Sequence, residues 1–103
     1  MNPAKVSRDK LHSLTDLPNI GKAGEEDLKI LGINKPEDLI GLCPYAMHVA
    51  LCEKTGVSHD VCMIDIFISI TRFMDGDAPK PWWQYTNERK DHLAKTSSMV
   101  TRQ

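Results

Sequence analysis

The 103-residue sequence lacks the features that mark several large classes of protein. No stretch approaches the roughly 20 uninterrupted apolar residues of a membrane helix, since the longest apolar-rich segment, 61–74, is interrupted by polar side chains. Residues 1–10 contain no apolar run of the kind found in a signal peptide. Thirteen basic and fourteen acidic side chains give a formal charge of −1, which excludes a strongly basic coat or histone-like protein. We therefore expect a protein without a membrane partner.

Cysteine is also scarce, with three residues and no Cys-x-x-Cys pair. Odd cysteine numbers without such pairs favour reduced, unbridged thiols in a cytoplasmic protein. A zinc site could be drawn from His48 with Cys52, His59 with Cys62, and Cys43. Structural zinc sites need tighter cysteine spacing than these pairs offer. The sequence therefore predicts no metal and no other cofactor.

The motifs of common catalytic sites are absent too. The sequence contains no glycine-rich nucleotide loop, no Gly-x-Ser-x-Gly, no His-Glu-x-x-His and no pair of catalytic carboxylates. Asp65 and Arg72 lie two helical turns apart, and we expect them to form an ion pair or a capping contact rather than a catalytic base. The sequence predicts a protein that is not an enzyme.

What is present is the composition of one small globular domain, with 41% hydrophobic and 26% charged residues. Proline, glycine and capping residues divide it into short predicted helices at residues 22–31, 36–42, 44 to about 55, 59–74 and 82 to about 90. Gly32 and Gly56 are the residues expected to follow helix ends. We predict a flexible N-terminus at 1–10, a helical domain at 11–91 and a flexible C-terminal tail at 92–103.

The segment 59–74 is ambiguous in its periodicity. Isoleucines alternate at positions 64, 66, 68 and 70, as they would in a strand. The segment is longer than a usual strand, and a lone strand among helices would have no hydrogen-bonding partner. We therefore predict a central, mostly buried helix that Ser58 caps.

The segment Leu17-Pro18-Asn19-Ile20-Gly21 resembles the loop of a helix-hairpin-helix motif. In such a hairpin, Asn19 and Gly21 would take positive φ angles, and Ile20 would anchor the loop in the core. Backbone N–H groups at the start of the second helix would then face a phosphate oxygen. The resemblance implies contacts to the DNA backbone without reading of bases.

Two departures from the hairpin pattern bear on that implication. Asn19 stands where the motif commonly has its first glycine, and Glu25 stands where it usually has a small alanine between the helices. Glu25, Glu26 and Asp27 stabilise the helix dipole, but they also compete with a phosphate for the same positive end. A hairpin that only packs two helices together therefore remains an alternative.

Residues 11–90 more broadly resemble the bacterial "pathogenicity locus" family of small helix-hairpin-helix proteins, some of them labelled mitomycin-resistance proteins. The matching segments include Leu-Pro-Asn-Ile-Gly at 17–21, Arg-Phe-Met at 72–74 and Pro-Trp-Trp at 81–83. The hairpin half is also similar to the C-terminal domain of the competence regulator TfoX. The resemblance implies an all-α fold, a compact SAM-like bundle of about five short helices. It implies no biochemical activity.

Two functions follow as hypotheses. In the first, the hairpin binds a DNA backbone weakly and without sequence specificity through Asn19, Gly21, Lys22 and Ala23. Lys80, Arg89 and Lys90 would add secondary positive charge. In the second, the SAM-like bundle is an adaptor that docks a protein partner, and the hairpin is structural. The tryptophans at 82 and 83 are expected to pack against the domain, one buried and one partly exposed.

Overall fold

The computed structural model describes the backbone of residues 1–101 and the side chains of residues 1–96. Four α-helices form the fold within these residues. We number them α1 (Lys22–Ile30), α2 (Pro44–Thr55), α3 (Cys62–Met74) and α4 (Thr86–Thr101). Single 3₁₀ turns lie between and before them, at Pro3–Lys5, Arg8–Lys10, Leu14–Asp16, Pro36–Leu39 and Trp82–Tyr85. No strand occurs within residues 1–101, so the predicted all-α class is confirmed.

Two of the predicted helices are wholly or partly 3₁₀ turns. The predicted helix at 36–42 is only the 3₁₀ turn Pro36–Leu39. The helix predicted at 82–90 is a 3₁₀ turn followed by α4, which continues through most of the predicted tail; residues 102 and 103 lie outside the described residues. Within residues 1–101, none of the helices combines the length and the apolar character that crossing a membrane requires.

The centre of the domain is α3, and the helix predicted there is confirmed. Eight of its thirteen residues are buried, because α2, α4 and the turns at Pro36–Leu39 and Trp82–Tyr85 all pack against it. An element buried on most sides needs apolar residues on most sides, which explains the strand-like alternation of isoleucines. The helix begins at Cys62 rather than near Ser58, and the Asp60 carboxylate accepts a hydrogen bond of 2.8 Å from the Cys62 N–H.

The helix ends follow the predicted glycines. Gly32 has a φ of 83° and Gly56 a φ of 72°, both in the left-handed region. After α1, the Ile33 N–H donates to the Leu28 carbonyl at 2.9 Å and the Gly32 N–H to the Lys29 carbonyl at 3.0 Å. This is the hydrogen-bond pattern of a Schellman motif. It buries Leu28 and Ile33 together in the core.

A buried ion pair attaches α4 to α3. The Asp65 carboxylate is completely buried and accepts hydrogen bonds from Arg89 Nε at 2.9 Å and Thr86 Oγ1 at 2.7 Å. The hydrogen bond to Asp65 raises the pKa of the Arg89 guanidinium above its ordinary value. The predicted pairing of Asp65 with Arg72 is therefore wrong. Because α4 packs over Asp65, Arg72 pairs instead with Glu88 at the surface.

The aromatic residues of the turn Trp82–Tyr85 are arranged differently from the expectation. Neither tryptophan is buried: Trp82 is half-buried and Trp83 is 62% exposed. The buried aromatic ring is Tyr85, which packs with Ile64 and Ile68. Residues three apart in a 3₁₀ turn share a face, so the turn points Trp82 and Tyr85 inward and Trp83 outward.

The buried pair predicts a large and specific loss of stability. We expect Asp65→Asn to lower the free energy of unfolding by about 3–5 kcal/mol, because it leaves the buried Arg89 charge without its partner. The double variant Asp65→Asn/Arg89→Met should recover part of that loss. Equilibrium urea unfolding measures both.

The matched control is Arg72→Ala, which breaks an ion pair whose two side chains are each 43% exposed. Exposed pairs contribute about 1 kcal/mol or less. If Asp65→Asn cost no more stability than Arg72→Ala, the central role of the buried pair would be refuted.

Candidate nucleic-acid interface

The predicted hairpin is built from the 3₁₀ turn Leu14–Asp16, a short loop and α1. The Asp16 carboxylate accepts the N–H groups of His12 and Ser13 at 2.9 Å and so caps the start of the turn. Leu17, Pro18 and Ile20 of the loop are buried, so Ile20 anchors the hairpin as predicted. The arm before the loop is thus a single 3₁₀ turn, shorter than the helix expected there.

Asn19 has the predicted left-handed backbone, with a φ of 66°. Its side-chain amide donates to Ser69 Oγ of α3 at 3.0 Å and to the Lys80 carbonyl at 2.8 Å. Its backbone N–H, expected to point outward, donates instead to the Met1 carbonyl at 2.7 Å. Asn19 therefore ties the hairpin to three other segments of the chain.

Gly21, Lys22 and Ala23 form the exposed entrance of α1. The positive φ predicted for Gly21 is wrong: its φ of −99° and ψ of −167° are extended, the usual backbone of a residue that precedes a helix. Gly21 has no side chain with which to cap the helix. The first N–H groups of α1 consequently receive no side-chain acceptor from this position.

Gly24 is the small residue at the close contact between α1 and the hairpin loop. A Cβ atom at Gly24 would lie 3.3 Å from Ile20 Cδ1, which is a tight contact. The Glu25 side chain is 23% exposed, and its Oε1 atom lies 3.9 Å from Lys29 Nζ one turn later. Gly24 therefore supplies the close contact between α1 and the hairpin loop.

The three secondary basic residues have different surroundings. Lys80 and Lys90 are exposed, and Lys80 lies beside the hairpin because its carbonyl accepts the Asn19 hydrogen bond. Arg89 is only 7% exposed and is bound to Asp65, so it is not available as surface charge. Sequence position alone could not separate Arg89 from Lys90, because neighbouring helix residues point in different directions.

Two histidines and one cysteine, His48, His59 and Cys52, join α2 to the loop that follows it. His48 Nε2 lies 3.0 Å from the His59 carbonyl, and His59 Nε2 lies 2.9 Å from Thr55 Oγ1. The His59 N–H donates to Cys52 Sγ at 3.4 Å. All three cysteines are unbridged, as predicted. No group of three potential metal ligands is found among the described residues.

Sequence reasoning missed an apolar surface between α1 and α2. A groove of about 210 Å³, called here the apolar groove, is lined by Leu31, Ile33, Leu42, Cys43, Ala46, Met47 and Ala50. Ile40 and Val49 are also more than half exposed. The sequence signal for the groove is the second apolar side of α2, with Ala46 and Val49 beside the buried positions Met47 and Leu51.

The pattern that defines the family described as "pathogenicity locus" matches residues 7–91. The chain belongs to the pathogenicity locus family. It is 31% identical over 81 residues to the mitomycin resistance protein McrB of Streptomyces lavendulae, a match that covers 79% of this chain and 77% of that protein. No solved structure is similar enough to the chain to count as a match. The region that defines this pathogenicity locus protein thus includes the hairpin, α2, α3 and the Asp65–Arg89 pair.

Asn19 should contribute to stability through both its backbone and its side chain. We expect Asn19→Gly, which keeps the left-handed backbone, to lower the free energy of unfolding by about 1–3 kcal/mol through loss of the amide hydrogen bonds. Asn19→Ala should cost about 1 kcal/mol more, because a Cβ atom resists the left-handed conformation. Urea unfolding distinguishes the two variants. A glycine variant as stable as the wild type would show that the amide does not hold the hairpin in place.

Proposed function

We propose that the protein is a small, non-enzymatic DNA-binding protein that contacts backbone phosphates weakly and without sequence specificity. The observation that carries the proposal is the uncapped, exposed start of α1 at Gly21, with Lys22 and Ala23 beside it. A helix N-terminus presents N–H donors and a positive dipole end, which suit a phosphate oxygen. In this proposal residues 14–28 act as a helix-hairpin-helix motif within a SAM-like bundle.

Gly21 makes this entrance accessible. A Cβ atom at Gly21 would have no neighbour within 4 Å, so the backbone is open on this side of the residue. Lys22 follows directly and is exposed. The Glu25 carboxylate, which competes with an anion at the helix entrance, lies 3.9 Å from Lys29 Nζ, and the lysine offsets part of its charge. These features favour an anion at this end of α1.

The charge balance limits the strength of the proposed interaction. With Arg89 engaged in the core, few cations surround the hairpin, and the whole chain carries a formal charge of −1. Each neutralised phosphate contributes about −0.9 to the slope of log affinity against log salt. We expect a shallow slope that corresponds to about two to three contacts. Backbone contacts of this kind do not distinguish base sequences.

Charge reversal at the helix entrance tests the proposal. Lys22→Glu should weaken binding to every duplex alike, because it places a negative charge beside the phosphate. Glu25→Ala should strengthen binding, because it removes a charge that competes for the helix end. Retention of two unrelated duplexes at ~50 mM salt, where phosphate contacts are strongest, measures both effects.

Glu53→Ala is the matched control for Glu25→Ala, since it makes the same change of net charge at an exposed position of α2. It should leave retention close to that of the wild type. If neither Lys22→Glu nor Glu25→Ala differs from this control, the hairpin has only a structural role.

A second variant separates stability from binding. Gly21→Ser introduces a capping hydroxyl, which should stabilise the protein by about a few tenths of a kcal/mol. The same hydroxyl accepts the α1 N–H groups that the phosphate would use, so DNA retention should fall. Thermal unfolding and DNA retention are measured on the same preparation. A variant that is more stable and binds DNA as well as the wild type contradicts the proposal.

The alternative is a protein-interaction adaptor, and the apolar groove is the observation that favours it. The groove exposes Leu42 and Ala46, and Ile40 and Val49 extend its apolar surroundings. Exposed apolar surface on a small domain often marks a binding site for another protein. Under this alternative, Ala46→Arg would weaken binding of the protein partner. The hairpin variants Lys22→Glu, Glu25→Ala and Gly21→Ser would leave that binding intact.

A further inference from the structure

A second cationic surface lies beside the hairpin, outside the residues that sequence analysis proposed. It is a cleft of about 270 Å³, called here the N-terminal cleft, lined by Met1, Lys5, Ser7, Lys10, His12 and Asp16. Lys5, Lys10 and His12 are exposed, so their charged or polar ends reach solvent around the cleft. The Ser7 hydroxyl caps no backbone group of the turn that follows it.

The segment that forms this cleft is held by specific contacts with the core. Arg8 donates to the Phe73 carbonyl at 2.6 Å and to the Asp77 carbonyl at 2.8 Å, and its guanidinium lies 4.1 Å from the centre of the Phe73 ring. Val6 and Leu11 pack against the core. The flexibility predicted for residues 1–10 stays a prediction, but these contacts give the segment a defined path. Lys5 and Lys10, on the two 3₁₀ turns before and after Ser7, are therefore held in position before any ligand binds.

The one carboxylate that lines the cleft, that of Asp16, already accepts hydrogen bonds from backbone N–H groups. Asp16 accepts the N–H groups of His12 and Ser13, and those hydrogen bonds hold the pKa of its carboxyl below the ordinary value. Asp16 is therefore ionised at neutral pH, with its charge directed at the turn. Two ammonium groups oppose this one carboxylate, which leaves an excess of positive charge at the cleft.

The cleft is also connected to the entrance of α1. Met1, which lines the cleft, accepts a hydrogen bond from the Asn19 N–H, and its amino group donates to the Ile20 carbonyl at 2.6 Å. Ile20 directly precedes Gly21 at the start of α1. Occupants of the cleft and of the helix entrance would thus lie on either side of one short loop.

We propose that the N-terminal cleft binds a phosphate ester through Lys5, Lys10 and Ser7. We further assign it to a second phosphate of the duplex that α1 contacts, an assignment that rests on the proposed function. Lysine ammonium groups and a hydroxyl are common ligands of backbone phosphate. The cleft supplies the cations that the hairpin itself lacks.

The test compares two paired substitutions that remove the same charge. Lys5→Gln/Lys10→Gln changes the cleft, and Lys35→Gln/Lys54→Gln changes exposed lysines elsewhere. For each protein, the affinity for a short duplex is measured over a range of salt concentrations. The cleft variant should have a slope of log affinity against log salt that is shallower by about 0.9, because one phosphate contact is lost. The control should keep the wild-type slope, and far-UV circular dichroism should show both variants folded.

A slope in the cleft variant equal to that of the control overturns the inference. If Lys22→Glu and Gly21→Ser still weaken binding in that case, the proposed function stands without the cleft. If only the cleft variant weakens duplex binding, the cleft is a phosphate site and the proposed role of α1 fails.

Adenosine 5′-monophosphate identifies the source of the phosphate. Its titration is followed by the amide NMR signals of Ser7, Lys10 and His12. Weak shifts with the mononucleotide and strong shifts with the duplex support a backbone phosphate. Mononucleotide affinity equal to that for the duplex, lost in Lys5→Gln/Lys10→Gln, overturns the assignment to DNA.

Discussion

The burial of α3 is the constraint on which the rest of the structure depends. A domain of this size can form one modest core, and here that core surrounds a single apolar helix that two other α-helices and two 3₁₀ turns cover. Such complete coverage also buries Asp65 and Ser69, so each needs a hydrogen-bond partner. Asp65 accepts a hydrogen bond from Arg89 of α4. The Ser69 hydroxyl donates to the Ile66 carbonyl of its own helix and accepts a hydrogen bond from the Asn19 amide of the hairpin. The polar groups of α3 thereby determine where the neighbouring segments attach.

These attachments connect the core to both proposed phosphate sites. Asn19 holds the hairpin against α3 and so orients the start of α1. Arg8 holds the N-terminal segment against the end of α3 through the Phe73 carbonyl and ring. The buried helix α3 therefore positions two exposed surfaces, the start of α1 and the N-terminal cleft. Under the proposed function, this arrangement gives a protein of nearly neutral charge a locally cationic face.

Much of the fold could be predicted from the sequence because its signals are local. The ends of α1 and α2 depend on Gly32 and Gly56, whose left-handed conformations any reader of the sequence can anticipate. The helical state of α3 followed from its length and from the absence of a strand partner. The left-handed backbone of Asn19 followed from the turn chemistry of a short polar side chain.

Several of the features that differ from the predictions depend on which elements meet in space. Asp65 was paired with Arg72 because both lie on one helix, whereas its partner Arg89 comes from a helix more than 20 residues later. The segment that forms the N-terminal cleft is held partly by Arg8, which reaches Phe73, 65 residues away. Local sequence patterns carry no information about such long-range contacts.

The central claim is that a DNA backbone binds at the start of α1. The most direct measurement records amide chemical-shift changes of the whole protein while a short duplex is added, and repeats the titration with a duplex of unrelated sequence. The largest shifts should occur at Gly21, Lys22 and Ala23, with the same pattern for both sequences, because backbone contacts do not read bases. Shifts confined to the apolar groove, or the absence of shifts at ~50 mM salt, where phosphate contacts are strongest, would contradict the claim.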